Sequence, residues 1–217
     1  MHILATARLN LRTVEPGDAA FYLALLNDPA FVEQIGDRGL RTLDDAQQAL
    51  LDGPIAMQEA RGHSLYVVEL RDSGVPDGHV PIGMCGLIKR DSLDGVDIGY
   101  AFLPAWRGQG YAFEAGVAVL GFAPSLGLRR VLAITSPNNI ASNYLLRKMG
   151  MRFERFTHLA PGDVGTNLYS IDLAPPLDDG RLPRIVQALE ALTPRAVSAP
   201  VSAPCPDNQR TRSKRTP

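Results

Sequence analysis

One segment narrows the choice of fold more than any other: a strand pattern that passes through a glycine-containing turn directly into a helix pattern, VDIGYAFLPAWRGQGYAFEA. The strand pattern ends at Pro104, and small and apolar residues at helical spacing follow over 112–123. Gly108 and Gly110 allow backbone N–H groups to approach an anion, and the first free amides of the helix point at it. The segment therefore predicts a pyrophosphate site, with a plain surface turn as the structural alternative.

Two common nucleotide-binding patterns do not fit this turn. A Walker loop would end in Gly-Lys-Ser/Thr, which the turn lacks. A dinucleotide fingerprint would place its third glycine at position 113, where the chain has Phe113. Nucleotide hydrolases and dehydrogenases are therefore disfavoured.

The rest of the pattern predicts a mixed α/β (α+β) architecture around one sheet, in the order β-α-α-β-β-β-α-β-α-β-β. Period-2 alternation predicts a strand at 9–14, and helical spacing follows after Pro16 and again over 42–59. The next three strands are separated by turn-rich stretches and are expected to form an antiparallel meander. In chain order the remaining elements are strands 64–71, 81–90, 96–104 and 129–136, helix 141–149, and strands 152–159 and 167–173.

Composition separates the body of the chain from its end. Residues 1–175 are predicted to form one domain, and a peripheral C-terminal helix is expected within 176–194. From Arg195 onward, five basic residues stand against one acid, a net charge of +4, in a Pro/Ser/Ala-rich stretch without apolar periodicity. Residues 195–217 are therefore predicted to be a disordered basic tail.

Charge and cysteine content bear on partners and compartment. The 22 Lys and Arg nearly balance the 23 Asp and Glu, which argues against a nucleic-acid partner. No segment approaches the ~20 apolar residues of a membrane span, so no membrane partner is expected. Cys85 and Cys205 cannot form a disulfide framework, and no Cys/His cluster suggests a metal. These features predict a soluble cytoplasmic protein without a metal site.

Several segments resemble one family in the right order. RGQGYA fits the Arg/Gln-x-x-Gly-x-Gly/Ala signature of the GNAT N-acetyltransferase superfamily. TARLNLRTVEPGDAAFYLALLNDP resembles the opening strand and helix of its RimJ/RimL-like branch, the ribosomal-protein alanine acetyltransferase-like enzymes. TSPNNIASNYLLRKMGMRFE resembles the Asn-x-x-Ser helix and the Lys-x-Gly-Phe ending, with Met151 in place of Phe. The resemblance covers about residues 5–175.

The resemblance implies a mostly antiparallel sheet that splays open at an acetyl-CoA site, with helices on both faces. Acetyl-CoA would be the co-substrate, and its pantetheine arm would contact Phe102 and Leu103. Asn139 would reach the cofactor from the next strand-to-helix junction. The pyrophosphate would bind the amides of Arg107, Gly108, Gln109, Gly110, Tyr111 and Ala112.

The family's chemistry is acetyl transfer to a primary amine by direct attack through a tetrahedral intermediate. Asp97 is the candidate base, at a position where the branch usually has Glu; the alternative is a solvated strand residue. Ser142 is the candidate acid for the leaving thiolate; a helix-capping role and water are the alternatives. The tyrosine that many relatives use seven residues after the motif Asn is Leu146 here, and Tyr144 lies two residues short of that position.

Other polar and reactive residues have structural explanations. Glu114 complements the dipole of its helix, and Cys85 is expected to be buried packing.

Two functions compete. The first is an N-acetyltransferase acting on a protein N-terminus or a small-molecule amine, as a monomer or homodimer, with an acceptor site built from about 18–60 and 154–173. The second is a non-catalytic acyl-CoA-binding sensor or regulatory module, which the unusual Asp97 and Leu146 keep open.

Overall fold

Strands and helices follow one another in nearly the predicted order. The computed structural model describes residues 1–71, 80–160 and 162–173, so the predicted helix within 176–194 and the basic tail lie outside the described residues. The strands are β1 (His2–Ala5), β2 (Leu9–Thr13), β3 (Leu65–Leu70), β4 (Val80–Lys89), β5 (Val96–Phe102), β6 (Arg130–Thr135), β7 (Arg152–Thr157) and β8 (Thr166–Asp172). The helices are α1 (Ala19–Leu26), α2 (Pro29–Ile35), α3 (Leu43–Leu50), α4 (Ala56–Arg61), α5 (Tyr111–Phe122) and α6 (Ile140–Lys148).

These eight strands form one open sheet in the order β1-β2-β3-β4-β5-β6-β8-β7. Neighbouring strands are antiparallel except β5 and β6, which run parallel. That parallel pair is in register at one position, where Asp97 lies opposite Leu132, whereas β5 pairs with β4 along the whole length of β5. The sheet therefore parts after Asp97, and the predicted mixed, mostly antiparallel sheet and its meander are confirmed.

Helices cover both faces of the sheet, as predicted. On one face α1 and α3 bury Leu25 and Leu50 against Val67 and Met84. On the other face α5 and α6 pack with β4 and β5 in the larger core, which includes Leu120 and Leu146 of the helices together with Ile82, Leu87 and Ile98 of the strands. Burial of these side chains stabilises the layers, at about 1.5–3 kcal/mol for each large apolar side chain.

The helical region before β3 differs from the prediction in two places. The helix predicted in the stretch 16–29 corresponds to α1, and α2 follows it as a helix that the sequence pattern did not predict. Asp28 caps α2 by accepting the Phe31 N–H at 3.2 Å, and Pro29 occupies its first position. The second predicted helix, over 42–59, begins at its Thr42 cap but contains a π-helical turn at Leu51–Ile55. Pro54 lies inside that turn and lacks the N–H that a regular helix would use.

Strand β1 was not predicted at all. It is a four-residue edge strand paired with β2, too short to show a clear alternation in the sequence.

Candidate active site

The turn between β5 and α5 has the geometry of an anion site. Gly108 and Gly110 adopt left-handed conformations with φ of 74° and 85°, which a side chain would strain. The Glu114 N–H donates to the Gly110 carbonyl oxygen at 3.0 Å, the bond that begins α5. The N–H groups of Tyr111, Ala112 and the next residue come before the first backbone hydrogen bond of α5. They therefore have no acceptor within the helix and point out of its N-terminus.

An ion pair from the start of the chain holds this turn. The Glu114 carboxylate, 4% exposed, accepts from Thr6 Oγ1 at 2.6 Å, from the Arg8 N–H at 2.9 Å and from Arg8 Nε at 2.6 Å. Arg8 Nη1 also donates to the Gln109 carbonyl at 3.1 Å, and its guanidinium lies 4.4 Å from the Tyr111 ring centroid. Glu114 is therefore structural, as expected, but its main partner is Arg8, 106 positions earlier between β1 and β2, rather than the helix dipole alone.

The side chain of Arg107 ties the turn to the opposite helical layer. Its Nε donates to the Phe102 carbonyl at 2.8 Å, and its Nη2 donates to Asp28 Oδ1 at 2.5 Å. Burial raises the pKa of Asp28, but hydrogen bonds from Arg107 and from the α2 amides outweigh it and lower that pKa. The Arg107 N–H donates to the Pro104 carbonyl at 3.3 Å. This amide is thus already engaged inside the turn, unlike the amides at the start of α5.

Along β5, backbone groups alternate between β4 and the gap beside β6. Leu103 donates to the Ile82 carbonyl on β4 at 2.9 Å. Because hydrogen-bonding residues alternate along a strand, the backbone groups of Tyr100 and Phe102 face the gap. The Phe102 carbonyl is taken by Arg107, and the Phe102 side chain is buried in the core. Of the two predicted arm contacts, Phe102 thus presents backbone to the gap, whereas the Leu103 N–H faces β4.

Asp97 lies where β5 and β6 begin to part. Its side chain is 1% exposed, and both carboxylate oxygens accept from Arg90 Nε, at 3.0 and 3.1 Å. Burial raises the pKa of Asp97, and the Arg90 charge only partly opposes that rise. The alternative of a solvated strand residue is therefore wrong: Asp97 is a buried carboxylate with raised basicity.

Ser142 contacts a residue that sequence reasoning missed, Tyr100. The Tyr100 Oη and Ser142 Oγ are 2.8 Å apart, and burial raises the pKa of Tyr100 to about 12 against the opposing effect of this bond. The Ser142 N–H donates to Asn139 Oδ1 at 3.0 Å, so Asn139 caps α6 and Ser142 sits in its first turn. The capping bond uses the backbone of Ser142 and leaves its hydroxyl for Tyr100. Leu146 is buried and Tyr144 is 67% exposed.

Asn143 is a second residue that the sequence analysis did not single out. Its Nδ2 donates to the Ser136 carbonyl at 2.9 Å and to the Asn139 carbonyl at 2.7 Å. Its Oδ1 accepts from Asn167 Nδ2 at 2.9 Å and from Tyr169 Oη at 2.8 Å. This nearly buried amide fastens the loop before α6 to β8, and thereby fixes the start of the helix that carries Ser142. Only its position next to Ser142 in the sequence could have drawn attention to it.

A cavity of about 680 Å³ passes through the gap and joins these groups. On the side of α1 and α2 it is lined by residues such as Tyr22 and Phe31, and on the side of α6 by Asn139 and Ser142. Side chains alternate between the two faces of β5. Ala101 packs in the α1–α3 core, so Asp97, four residues earlier, also lies on the α1 and α2 side of the cavity, whereas Tyr100 packs with the α5–α6 core. The acid and base candidates thus reach one cavity from opposite faces of β5. Of the predicted site residues, Phe102, Leu103 and 107–112 are outside its lining.

Metal and thiol chemistry find no support among the described residues. Within them, no group of three or more His, Cys, Asp or Glu side chains could hold a metal ion. Cys85 is fully buried, and burial raises the pKa of its thiol far above the usual range, which fits the expected packing role. No helix in the described part of the chain is long and apolar enough to cross a membrane.

An open sheet that parts beside an anion-binding turn, with polar groups on both sides of the gap, defines a class of acyl-CoA-dependent transferases. The chain belongs to the GNAT acetyltransferase domain family, whose model matches residues 8–152. It is 31% identical over 175 residues to an uncharacterised N-acetyltransferase of Bacillus subtilis, YoaA, covering 78% of this chain and 96% of that protein. The protein is therefore an acetyltransferase.

Solved structures agree on the fold. An acetyltransferase from Agrobacterium tumefaciens, 25% identical, superposes with a TM-score of 0.63 over 77% of this chain and 92% of its own. The ribosomal-protein alpha-N acetyltransferase RimL, solved in complex with coenzyme A, superposes with a TM-score of 0.66 over 79% of this chain and 98% of its own, at 18% identity.

Proposed function

We propose that this protein transfers the acetyl group of acetyl-CoA to a primary amine, with Asp97 as the general base and Ser142 as the general acid. One observation carries the proposal: Asp97 and the Tyr100–Ser142 pair line the same cavity from opposite faces of β5. Direct transfer needs a base at the acceptor amine and an acid at the departing sulfur, on opposite sides of the reacting carbon. The acceptor class named here covers protein N-termini and small-molecule amines.

The turn between β5 and α5, residues 107–112 and called the phosphate turn below, has groups that would bind the phosphates of the co-substrate. The free N–H groups of Gly108, Gln109, Gly110, Tyr111 and Ala112 would hold its pyrophosphate, aided by the helix dipole. The Lys148 ammonium lies 4.5 Å from the centroid of the Phe113 ring in the first turn of α5 and adds positive charge there. The backbone of Tyr100 and Phe102 would pair with the pantetheine arm, and Asn139 would reach it from the α6 side. Acetyl-CoA supplies an activated acyl carbon at the gap.

Asp97 provides the basic side of the reaction. An alkyl ammonium has a pKa of about 10.4, so most acceptor amines arrive protonated. Asp97 accepts that proton, directly or through water, and the neutral amine nitrogen then bonds to the acyl carbon. The raised pKa of Asp97 makes it a stronger base than an exposed aspartate. Arg90 remains hydrogen-bonded to it and limits this rise.

Ser142 and Tyr100 provide the acidic side. The raised pKa of Tyr100 keeps its hydroxyl protonated, so it donates to Ser142 Oγ across their 2.8 Å contact. The Ser142 hydrogen is then free to point to the sulfur. As the carbon–sulfur bond breaks, the thiolate takes the Ser142 proton and Tyr100 passes its own proton to Ser142. The second proton of the acyl-bearing nitrogen is released to water as the amide forms, and Tyr100 recovers a proton from water. Tyr100 thereby substitutes for the family tyrosine that Leu146 replaces.

The test combines calorimetric binding of acetyl-CoA with a free-thiol release assay against a panel of primary amines. We expect binding in the absence of an acceptor and amine-dependent thiol release with at least one amine class. Tight binding without release from any amine would instead establish the non-catalytic acyl-CoA-binding module.

A further inference from the structure

The part of the cavity on the α1 and α2 side, called the acceptor half below, carries an excess of positive charge. Among the described residues that line it, Asp97 is the only carboxylate, whereas Arg38 and Arg90 are cations. Asp97 is already paired with Arg90, so Arg38 is left as a net charge near the mouth. Burial raises the pKa of Tyr22, and the charge of Arg38 opposes that rise, which places Arg38 close to this lining hydroxyl. A polycationic acceptor would be repelled here.

Arg90 retains open donors beside the base. It uses only Nε to hold the two oxygens of Asp97. Its Nη1 and Nη2 groups have no hydrogen-bond partner among the described residues, and neither is sealed from solvent. A planar guanidinium binds carboxylates through such paired donors. An anion bound there would lie within a few ångströms of the amine that Asp97 deprotonates.

The rest of the acceptor half is apolar. Side chains from α1, α2 and the facing strands line it, and they would enclose a hydrophobic body: Leu25, Leu26, Phe31, Ile35, Leu65 and Met84. A ligand that places an amine and an anion next to each other and carries an apolar side chain satisfies all three features.

We infer that the acceptor is a free α-amino acid with an apolar side chain, whose α-carboxylate binds Arg90 with Arg38 nearby. This inference rests on the proposed function and narrows its acceptor class. In an α-amino acid the amine and the carboxylate are borne on one carbon, which matches the contact between Asp97 and Arg90. A peptide N-terminus lacks a carboxylate at that position, and a polyamine has no anion at all.

The test compares each amino acid with its own amide in the thiol-release assay, using the full chain. L-leucine, L-methionine and L-phenylalanine are paired with leucinamide, methioninamide and phenylalaninamide, with spermidine and an amidated leucyl dipeptide added. The amides contain the less basic amine, so a larger fraction of them is neutral and able to attack at neutral pH. Preference for the acid therefore reports recognition of the carboxylate. We expect kcat/KM to favour at least one amino acid over its amide by about tenfold or more.

Two variants test whether Arg90 and Arg38 recognise the carboxylate of the amino acid. Arg90→Lys and Arg38→Gln should each reduce the preference for amino acid over amide, whereas Arg61→Gln, exposed on α4 and outside the cavity lining, should not. A loss of rate in Arg90→Lys with an unchanged preference would mean that Arg90 acts only on Asp97, and would overturn the inference. So would amides, the dipeptide or spermidine reacting as well as the amino acids. Release from none of these amines, with release from another amine of the first panel, would overturn only the inferred acceptor class. Release from no amine of either panel would refute the proposed function itself.

Discussion

Asp97 combines two opposing influences at one carboxylate. Its burial disfavours the ionised form, and the hydrogen bonds from Arg90 favour it, with burial the stronger of the two. A carboxylate so placed remains a base but a stronger one than a surface aspartate. The Asp97 side chain is shorter than the Glu that the family resemblance predicts, and it lies at the point where β5 and β6 separate. A water molecule would extend its reach to the amine.

Replacing Asp97 by Asn should lower kcat by about 10²-fold or more and leave the KM for acetyl-CoA nearly unchanged. The wild-type rate should fall on the acid side at a pH above the pKa of an ordinary aspartate, because the raised pKa keeps Asp97 protonated there. The Asn variant should lose this acid limb. Steady-state pH profiles of both proteins measure it, with the exposed Asp91→Asn as the control. An unchanged profile in the Asn variant would remove Asp97 as the base.

Tyr100 and Ser142 are expected to act as one unit, so their effects should not add. Ser142→Ala should reduce kcat by about 10²-fold and Tyr100→Phe by about tenfold, and the double variant should match Ser142→Ala. Tyr144→Phe, exposed on the same helix, is the matched control and should behave as wild type. Single-turnover acetyl transfer measures all four. Additive losses in the double variant would show that the two hydroxyls act separately.

At the scale of elements, the start of α5 depends on the N-terminal strands. Thr6 and Arg8, between β1 and β2, provide the hydrogen bonds that hold Glu114 in the first turn. The same arginine contacts the Gln109 carbonyl, so one side chain connects the sheet edge to the phosphate turn. The turn is therefore positioned by contacts outside its own segment.

Glu114→Gln should destabilise the protein by about 2–4 kcal/mol, because it leaves the largely buried Arg8 guanidinium without its counter-charge. We also expect weaker acetyl-CoA binding, since the turn loses its support. Urea unfolding and calorimetry measure the two effects. Glu59→Gln, exposed on α4, should change neither. Wild-type stability in Glu114→Gln would show that the pair does not brace the turn.

The helices show how far local sequence patterns reach. Thr42 begins α3 and Gly150 follows the end of α6, in both cases where the pattern predicts, because capping depends on residues within one turn. The start of α2 has such a local signal too, an Asp28 cap followed by Pro29. The π-helical turn around Pro54 has no comparable pattern.

At the scale of the molecule, the described residues build two large cores within 1–173, one on each face of the sheet. We propose that residues 1–175 form the catalytic domain and that 195–217 are a separate basic segment. Deleting 195–217 should then change the melting temperature by less than about 2 °C, equivalent to under ~1 kcal/mol for a chain of this size. Scanning calorimetry of the truncated and full-length proteins measures this. A larger drop would mean that the tail contributes to the folded domain.

The family, the mixed sheet, the antiparallel meander and the glycine turn before α5 follow from patterns that are local in the sequence. Each is recognised from single strands and helices and the short turns that join them. The ion pair of Arg8 with Glu114, separated by 106 positions, and the bond between Tyr100 and Ser142, separated by 42, do not. Nor does the pairing of Asp97 with Arg90 across a hairpin, or its burial. These contacts depend on which strands are neighbours and which face each side chain occupies, and only the folded sheet brings them together.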